Sequence, residues 1–212
     1  MTKEEAIEKN SVKLGVTKNL NSASLGGVSL IAADLPGADL SNAYLYNADL
    51  RYAVLNGANL FAVNLGYGDL RHTLLEGADL TFADLSSADI QFANLVDANC
   101  TEAMLSAANL SRADLSGADL TSAAFTFGTM VDGDLTGANL EDANLSHATM
   151  NGTVFTDADL TGADLLDVNL QDADLSGVVW ADTTCPDGTN SDDAGGTCCG
   201  HTKTFTPATG CD

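Results

Sequence analysis

From position 20 to position 180 the chain sets an apolar residue at every fifth place, 33 in succession without a slip. The stretch 37–60, GADLSNAYLYNADLRYAVLNGANL, carries them as Leu40, Leu45, Leu50, Leu55 and Leu60. Leucine gives way only at Ile90, Cys100, Phe125, Met130, Met150, Phe155 and Trp180. Two places before each comes a small residue, mostly alanine (Ala38, Ala43, Ala48), and one place before comes mostly Asp or Asn. Neither regular element has this period. Strand side chains alternate faces, so residues five apart point oppositely. In a helix, five residues turn through roughly 500° and share no face. A chain that buries every fifth residue must bend once per repeat. If each bend is near a right angle, four repeats close a square and the chain climbs by one coil every twenty residues.

Glycine supplies a separate sign of that beat. It occupies positions 37, 57, 77, 117, 137 and 177, one column at twenty-residue spacing, with Asp97 and Asp157 in the two remaining places. Glycine and, less readily, Asp tolerate left-handed backbone angles. The column therefore predicts one corner per coil in that conformation.

Units such as GADLT, GANLE, DADLT and SADIQ match A(D/N)LXX, and the chain resembles the pentapeptide-repeat family over 18–182. The resemblance implies an all-β fold: a right-handed quadrilateral parallel β-helix solenoid of about eight coils. At a strand spacing of about 4.8 Å the rod is roughly 40 Å long. Three regions are expected: an N-terminal cap over 1–17, the β-helix over 18–182 and a Cys-rich tail over 183–212. Thr2 and Glu5 form a candidate capping box for a short helix, and Ile7, Val12, Leu14 and Val16 can lie over the first coil, because open solenoid ends need covering.

Sorted by twenty, the central residues form four interior columns. One runs Leu20, Leu40, Leu60, Leu80, Cys100, Leu120, Leu140, Leu160, Trp180. Cys100 there reads as a buried thiol acting as a small apolar group. The Asp/Asn positions read first as residues that bond nearby backbone and stabilise turns. In one column they alternate strictly, from Asn19 and Asp39 to Asn139 and Asp159, which keeps like charges about 10 Å apart, roughly a Debye length at moderate salt.

The tail leaves Cys185, Cys198, Cys199 and Cys211, an even number. Adjacent Cys198 and Cys199 rarely pair together, so each pairs with Cys185 or Cys211 and two connectivities stay open. Disulfides there imply an oxidising compartment, whether periplasm, thylakoid lumen or outside the cell; free thiols imply cytoplasm. Zinc is the rival, with His201 as a further ligand, although the spacing lacks paired CxxC knuckles. Calcium in DGTNSDD is another, although the loop departs from the EF-hand pattern. No cofactor pattern is present.

Formal charge is −22, with 30 acidic residues against eight basic. That excludes a broad basic surface for nucleic acid and repels anionic lipid. No phosphate loop, GxSxG or HExxH motif appears, so the chain reads as non-enzymatic. His72 and His147 read as isolated surface residues. One corner differs. Arg51, Arg71 and Arg112 fall together there, beside an outer column Tyr52, His72, Phe92, Arg112. Arg and aromatic residues concentrate in interface hot spots. The plainer reading is that they cover a ladder edge and pair with Asp49, Asp69 and Asp89. Phe61 with Phe82, and Tyr67 with Phe127, are further exposed candidates on other corners. The expectation is a rigid protein-interaction scaffold, a monomer or weak homodimer, that binds a protein partner and neither nucleic acid nor membrane. Two alternatives stand beside it. Some proteins of the resembled family mimic DNA and bind DNA gyrase, protecting it from quinolones, which an acidic rod suits. The other is ion binding, of calcium or zinc, by the acidic faces or the tail.

Overall fold

A computed structural model describes residues 19–201. The proposed N-terminal cap, with Thr2, Glu5, Ile7, Val12, Leu14 and Val16, lies outside the described residues, as does Cys211. Parallel bridges join each residue before a central leucine to its counterpart twenty positions later, without a break from Asn19↔Asp39 to Asp164↔Thr184. There are four such ladders per coil, and the molecule is a β-helix solenoid. Each side of the square is too short for more than one bridge before the chain turns.

Residues 79–83 show how one unit satisfies its backbone. The Asp79 N–H donates down to the Ala58 carbonyl at 2.9 Å, and the Leu80 N–H donates up to Asn99 at 2.7 Å. The corner N–H of Phe82 donates up to Thr101 at 3.0 Å, and that of Ala83 closes the turn onto Leu80 at 2.9 Å. The remaining N–H, that of Thr81, donates to the Asp79 side-chain Oδ1 at 3.1 Å. Four of five donors are met by backbone, and the Asp or Asn meets the fifth. That is the physical reason for the polar position. Where the position holds Tyr44, Val54 or Leu74, the side chain offers no such acceptor to the N–H two residues on.

The corners differ from the sequence expectation. One left-handed corner per coil is predicted from the glycine column, yet all four adopt that conformation. Every residue two after a central position, from Ser22 to Asp182, has positive φ, and 24 of them are not glycine. Tyr52, His72, Phe92 and Arg112 sit at φ 58–61°. The turn needs a positive φ at its third residue, whatever side chain stands there. Each non-glycine corner costs about 1–2 kcal/mol, offset by the bond from its N–H to the next coil.

Inside, the central residues and the alanines two before them are buried together; Leu80, Ala78 and Ala83 have no exposed surface. The exceptions follow packing. Gly128 stands where a Cβ would come within 2.2 Å of the Phe125 ring, and Gly133 where it would meet Met130 at 2.5 Å. A bulky central side chain thus folds over the slot that alanine otherwise fills. Thr73 and Thr183 replace alanine differently: their hydroxyls are fully buried and donate to main-chain carbonyls, to Leu70 at 2.6 Å and to Leu160 at 2.7 Å.

The spiral continues one side beyond Trp180. The Leu165 N–H donates to the Thr184 carbonyl at 2.8 Å, and Cys185, fully buried, falls in the interior column of Leu165. The chain then doubles back through an antiparallel bridge between Thr184 and Asn190.

The corner geometry reverses a usual rule. Ala107 is exposed at φ 57°, so Ala107→Gly is expected to stabilise the protein by about 0.5 kcal/mol, where the same change in a helix destabilises. Urea unfolding of the two proteins checks the sign.

Candidate functional site

The corner that follows the Leu50, Leu70 and Ile90 column gathers the residues singled out in the sequence. Asp49, Asp69 and Asp89 stack one above another as consecutive rungs of one ladder, a direct run of like charge that the Asn/Asp alternation avoids in the Asn19–Asp159 column. Two arginines lie along it. Arg51 holds Asp49 with both Nε and Nη2, at 2.8 and 2.7 Å, and its Nε lies 3.4 Å from Asp69. Arg71 repeats the pattern one coil up, at 2.8 and 2.6 Å to Asp69 and 3.5 Å to Asp89. Gln91 completes the series with an amide bond to Asp89 at 2.8 Å. Partial burial disfavours the Asp69 charge, yet hydrogen bonds and charge from Arg71, with Arg51, hold its carboxyl below the usual range. Bonding to Asp49 and to Asp69 raises the pKa of Arg51 and Arg71 respectively. The pairs are about a third exposed, and each contributes on the order of 0–1 kcal/mol.

Beside the charge ladder runs a stack of rings. Tyr52 and His72 are parallel within 3° at 4.9 Å, and His72 and Phe92 within 9° at 4.9 Å. The Arg112 guanidinium continues the column 5.7 Å from the Phe92 centroid. The spacing is that of the coils themselves, so the left-handed corner backbone presents each ring to the next. Tyr52 and Phe92 are each 41% exposed. Arg112 departs from the plainer expectation: it does not pair with the Asp49–Asp89 ladder but lies 3.5 Å from Asp132, with 60% of its side chain exposed.

The histidines are not isolated, contrary to the sequence reading. His72 is sandwiched in the stack. His147 lies parallel to Phe127 at 4.9 Å, with its Nδ1 3.6 Å from Asp167. Phe61 and Phe82 meet edge to face at 5.6 Å. Tyr67 and Phe127 share a column but not a contact; Tyr67 packs on Tyr46 at 5.4 Å, which in turn stacks with Tyr44 at 5.9 Å. The Tyr44–Tyr46 pair has a sequence signal that was missed: Gly26 and Gly66 lie in the column of Tyr46, and a Cβ on Gly26 would strike the Tyr44 ring at 2.7 Å.

In the tail, Cys185 and Cys198 form a disulfide. Cys199 is also disulfide-bonded, and Cys100 is a buried free thiol whose pKa burial, with Asp119 and Asp79 nearby, pushes up to about 12. Cys185 and Cys198 are therefore not thiolate ligands here, and His201 Nδ1 is engaged with Asp187 at 2.8 Å. Oxygens of the DGTNSDD loop are turned onto its own chain: Asp187 Oδ1 accepts from the Thr189 hydroxyl and N–H, and Asn190 Oδ1 from the Asp192 N–H. Among the described residues no group of three or more His, Cys, Asp or Glu is placed to hold a metal ion. None of the described helices is long and apolar enough to cross a membrane.

The family model for pentapeptide repeats matches in eight copies, over residues 23–60, 69–99, 98–137 and 138–177. The chain is a pentapeptide-repeat protein. Solved members of this fold are similar to it. One is HetL, a pentapeptide-repeat protein involved in heterocyst differentiation regulation in the cyanobacterium Nostoc sp. strain PCC 7120, at 27% identity and TM-score 0.50 over 82% of this chain and 94% of HetL. Another is QnrB1, a plasmid-mediated fluoroquinolone resistance protein, at 15% identity and TM-score 0.57 over 79% of this chain and 91% of that one. The QnrB1 likeness shows the fold alone. No curated protein matches. In this pentapeptide-repeat protein the family supplies the right-handed coil, while the Arg and ring columns are features of its own side chains.

The tail carries a pH prediction. Bonds from the Thr189 hydroxyl and N–H, with His201 adding to them, hold the Asp187 pKa at about 2. A carboxyl depressed in the folded state stabilises above its unfolded value, about 3.9, and that contribution is lost as pH falls toward 2. Hydrogen exchange is expected to show the Thr189 amide protected above about pH 4 and progressively unprotected toward pH 2, with Asp187→Ala unprotected throughout and Asp187→Asn, whose amide oxygen still accepts, protected without that pH dependence.

Proposed function

We propose that this protein is a non-enzymatic, rigid scaffold that binds a protein partner through the corner formed by Arg51, Arg71, Tyr52, His72, Phe92 and Arg112. The supporting observation is the stack itself. Three side chains of types enriched at interfaces, Tyr52, Phe92 and Arg112, stand half-exposed in one stack with His72 at one-coil intervals, already ordered before any partner arrives. Binding to such a surface immobilises few rotamers, which is where flexible surfaces lose affinity. Arg51 and Arg71 are occupied by aspartates, so their part is to hold the corner's charge pattern. Phe92 and Arg112 are the contacting groups, Arg112 having the more exposed side chain and the looser partner. The acidic remainder of the surface steers a basic partner toward the rod.

No enzyme chemistry is proposed: His72 and His147 lie in ring stacks, and the ladder aspartates serve backbone N–H groups or arginines. HetL's involvement in regulation of differentiation is compatible with action through other proteins, and that analogy supports the reading without naming a partner.

Cross-linking in the native host tests it. A partner cross-linked to the wild type is expected to be lost, by tenfold or more, from Phe92→Ala/Arg112→Ala, while Phe61→Ala on another corner retains it. Equal recovery by all three proteins would refute the corner.

A further inference from the structure

The side of the rod on the Leu45, Leu65, Leu85 and Leu105 column is unlike the other three. On a chain of formal charge −22, its outward positions between Tyr44 and His147 hold one formally charged residue, Asp84. The rest are Ser, Thr, Asn, Ala or Gly, punctuated by apolar side chains. Tyr67 and Phe127, 58% and 67% exposed, are the two most exposed large apolar residues described, and Met104, 47% exposed, lies between them. Tyr67 and Phe127 occupy one corner column with only Ser87, half-buried, and Ala107, exposed, in between. The pattern along the rod is ring, small, small, ring.

We propose that a second copy of this chain packs against this side, antiparallel, about a two-fold axis midway between Ser87 and Ala107. A two-fold interface must be self-complementary, and this column is. Reversing it sets Tyr67 of one copy opposite Phe127 of the other, twice, while Ser87 and Ala107 face each other and let the backbones approach. Three coils separate the rings, about 15 Å at one strand spacing per coil.

Charge decides both the side and the direction. Two copies carrying −22 each repel one another, and only this side lets them meet with little acid between them. Parallel packing would set Asp84 against Asp84 and Asp167 against Asp167, a like-charge juxtaposition. Antiparallel packing sets Asp84 opposite the level of Met104 and Asp167 opposite Gly27, neither of them charged. The strip is six coils long, on the order of 30 Å, and one side wide. That area falls below the roughly 1,200 Å² total of stable specific interfaces, in the range of weak, transient ones, so the dimer is weak. This proposal stands apart from the partner corner, whose Phe92 and Arg112 lie at a different corner.

Sedimentation velocity of the full chain from about 10 µM to 1 mM, in moderate salt, tests it. The expected result is a concentration-dependent shift from monomer to dimer that Phe127→Glu moves at least tenfold higher and Phe61→Glu leaves in place. A mixture of Ser87→Cys and Ala107→Cys is expected to form an intermolecular disulfide faster than either variant alone. A wild type that stays monomeric throughout would overturn the proposal. So would a dimer indifferent to Phe127→Glu, one elongated end to end, or faster disulfide formation by each single variant than by the mixture.

Discussion

Everything in this molecule rests on one constraint: five backbone N–H groups must be satisfied in every five residues while the chain turns a corner. Inter-coil bonds from the central residue, the residue before it and the corner residue take three. The turn takes a fourth, and the Asp or Asn side chain takes the last. A buried unpaired amide costs on the order of 1–3 kcal/mol, a large fraction of a domain's whole stability when repeated around a coil. The leucines fill the interior, but the bonding register decides that the interior is a square.

The functional surface follows from the same register. Because every corner residue is held at positive φ and displaced by one coil from its neighbour, side chains in a column are delivered at stacking distance whether or not they attract. Tyr52, His72 and Phe92 turn that delivery into a ring stack, and Asp49, Asp69 and Asp89 turn it into a charge problem that Arg51 and Arg71 resolve. A solenoid side is thus a printed strip, and column composition sets its chemistry. One corner carries rings beside arginines paired with aspartates, one side is almost uncharged, and the Asn19–Asp159 column is acidic at every second rung.

The periodicity made the coil legible because a five-residue apolar period has one backbone solution, and Leu40, Leu45, Leu50 and Leu55 are placed in the four columns as read. The corner columns could also be read: Tyr52, His72, Phe92 and Arg112 form one stack, and Arg51 and Arg71 lie on the neighbouring aspartate ladder. What the pattern hid was conformation without a residue signature. Glycine recurs regularly only at the corner of Gly37, Gly57 and Gly77 and appears singly at the others, as Gly27, Gly152 and Gly162, while Tyr52 or Phe127 adopts the same left-handed angles because neighbouring coils impose them. The end of the spiral was equally hidden: Cys185 continues the Leu165 column, but a cysteine there carries no aliphatic signal and pairs with Cys198 of the tail. Side-chain contacts within a column, such as His147 on Phe127, need the stacking distance as well as the register.

Residue-resolved hydrogen exchange tests the bonding register most directly. The N–H groups of Ser41, Thr81 and Thr121, each served by an aspartate two residues before, are predicted to be protected like those of Leu40, Leu80 and Leu120. The N–H groups of Tyr46, Asn56 and Glu76, which follow Tyr44, Val54 and Leu74, are predicted to exchange far faster within the same coils. Equal protection of both sets would contradict the account.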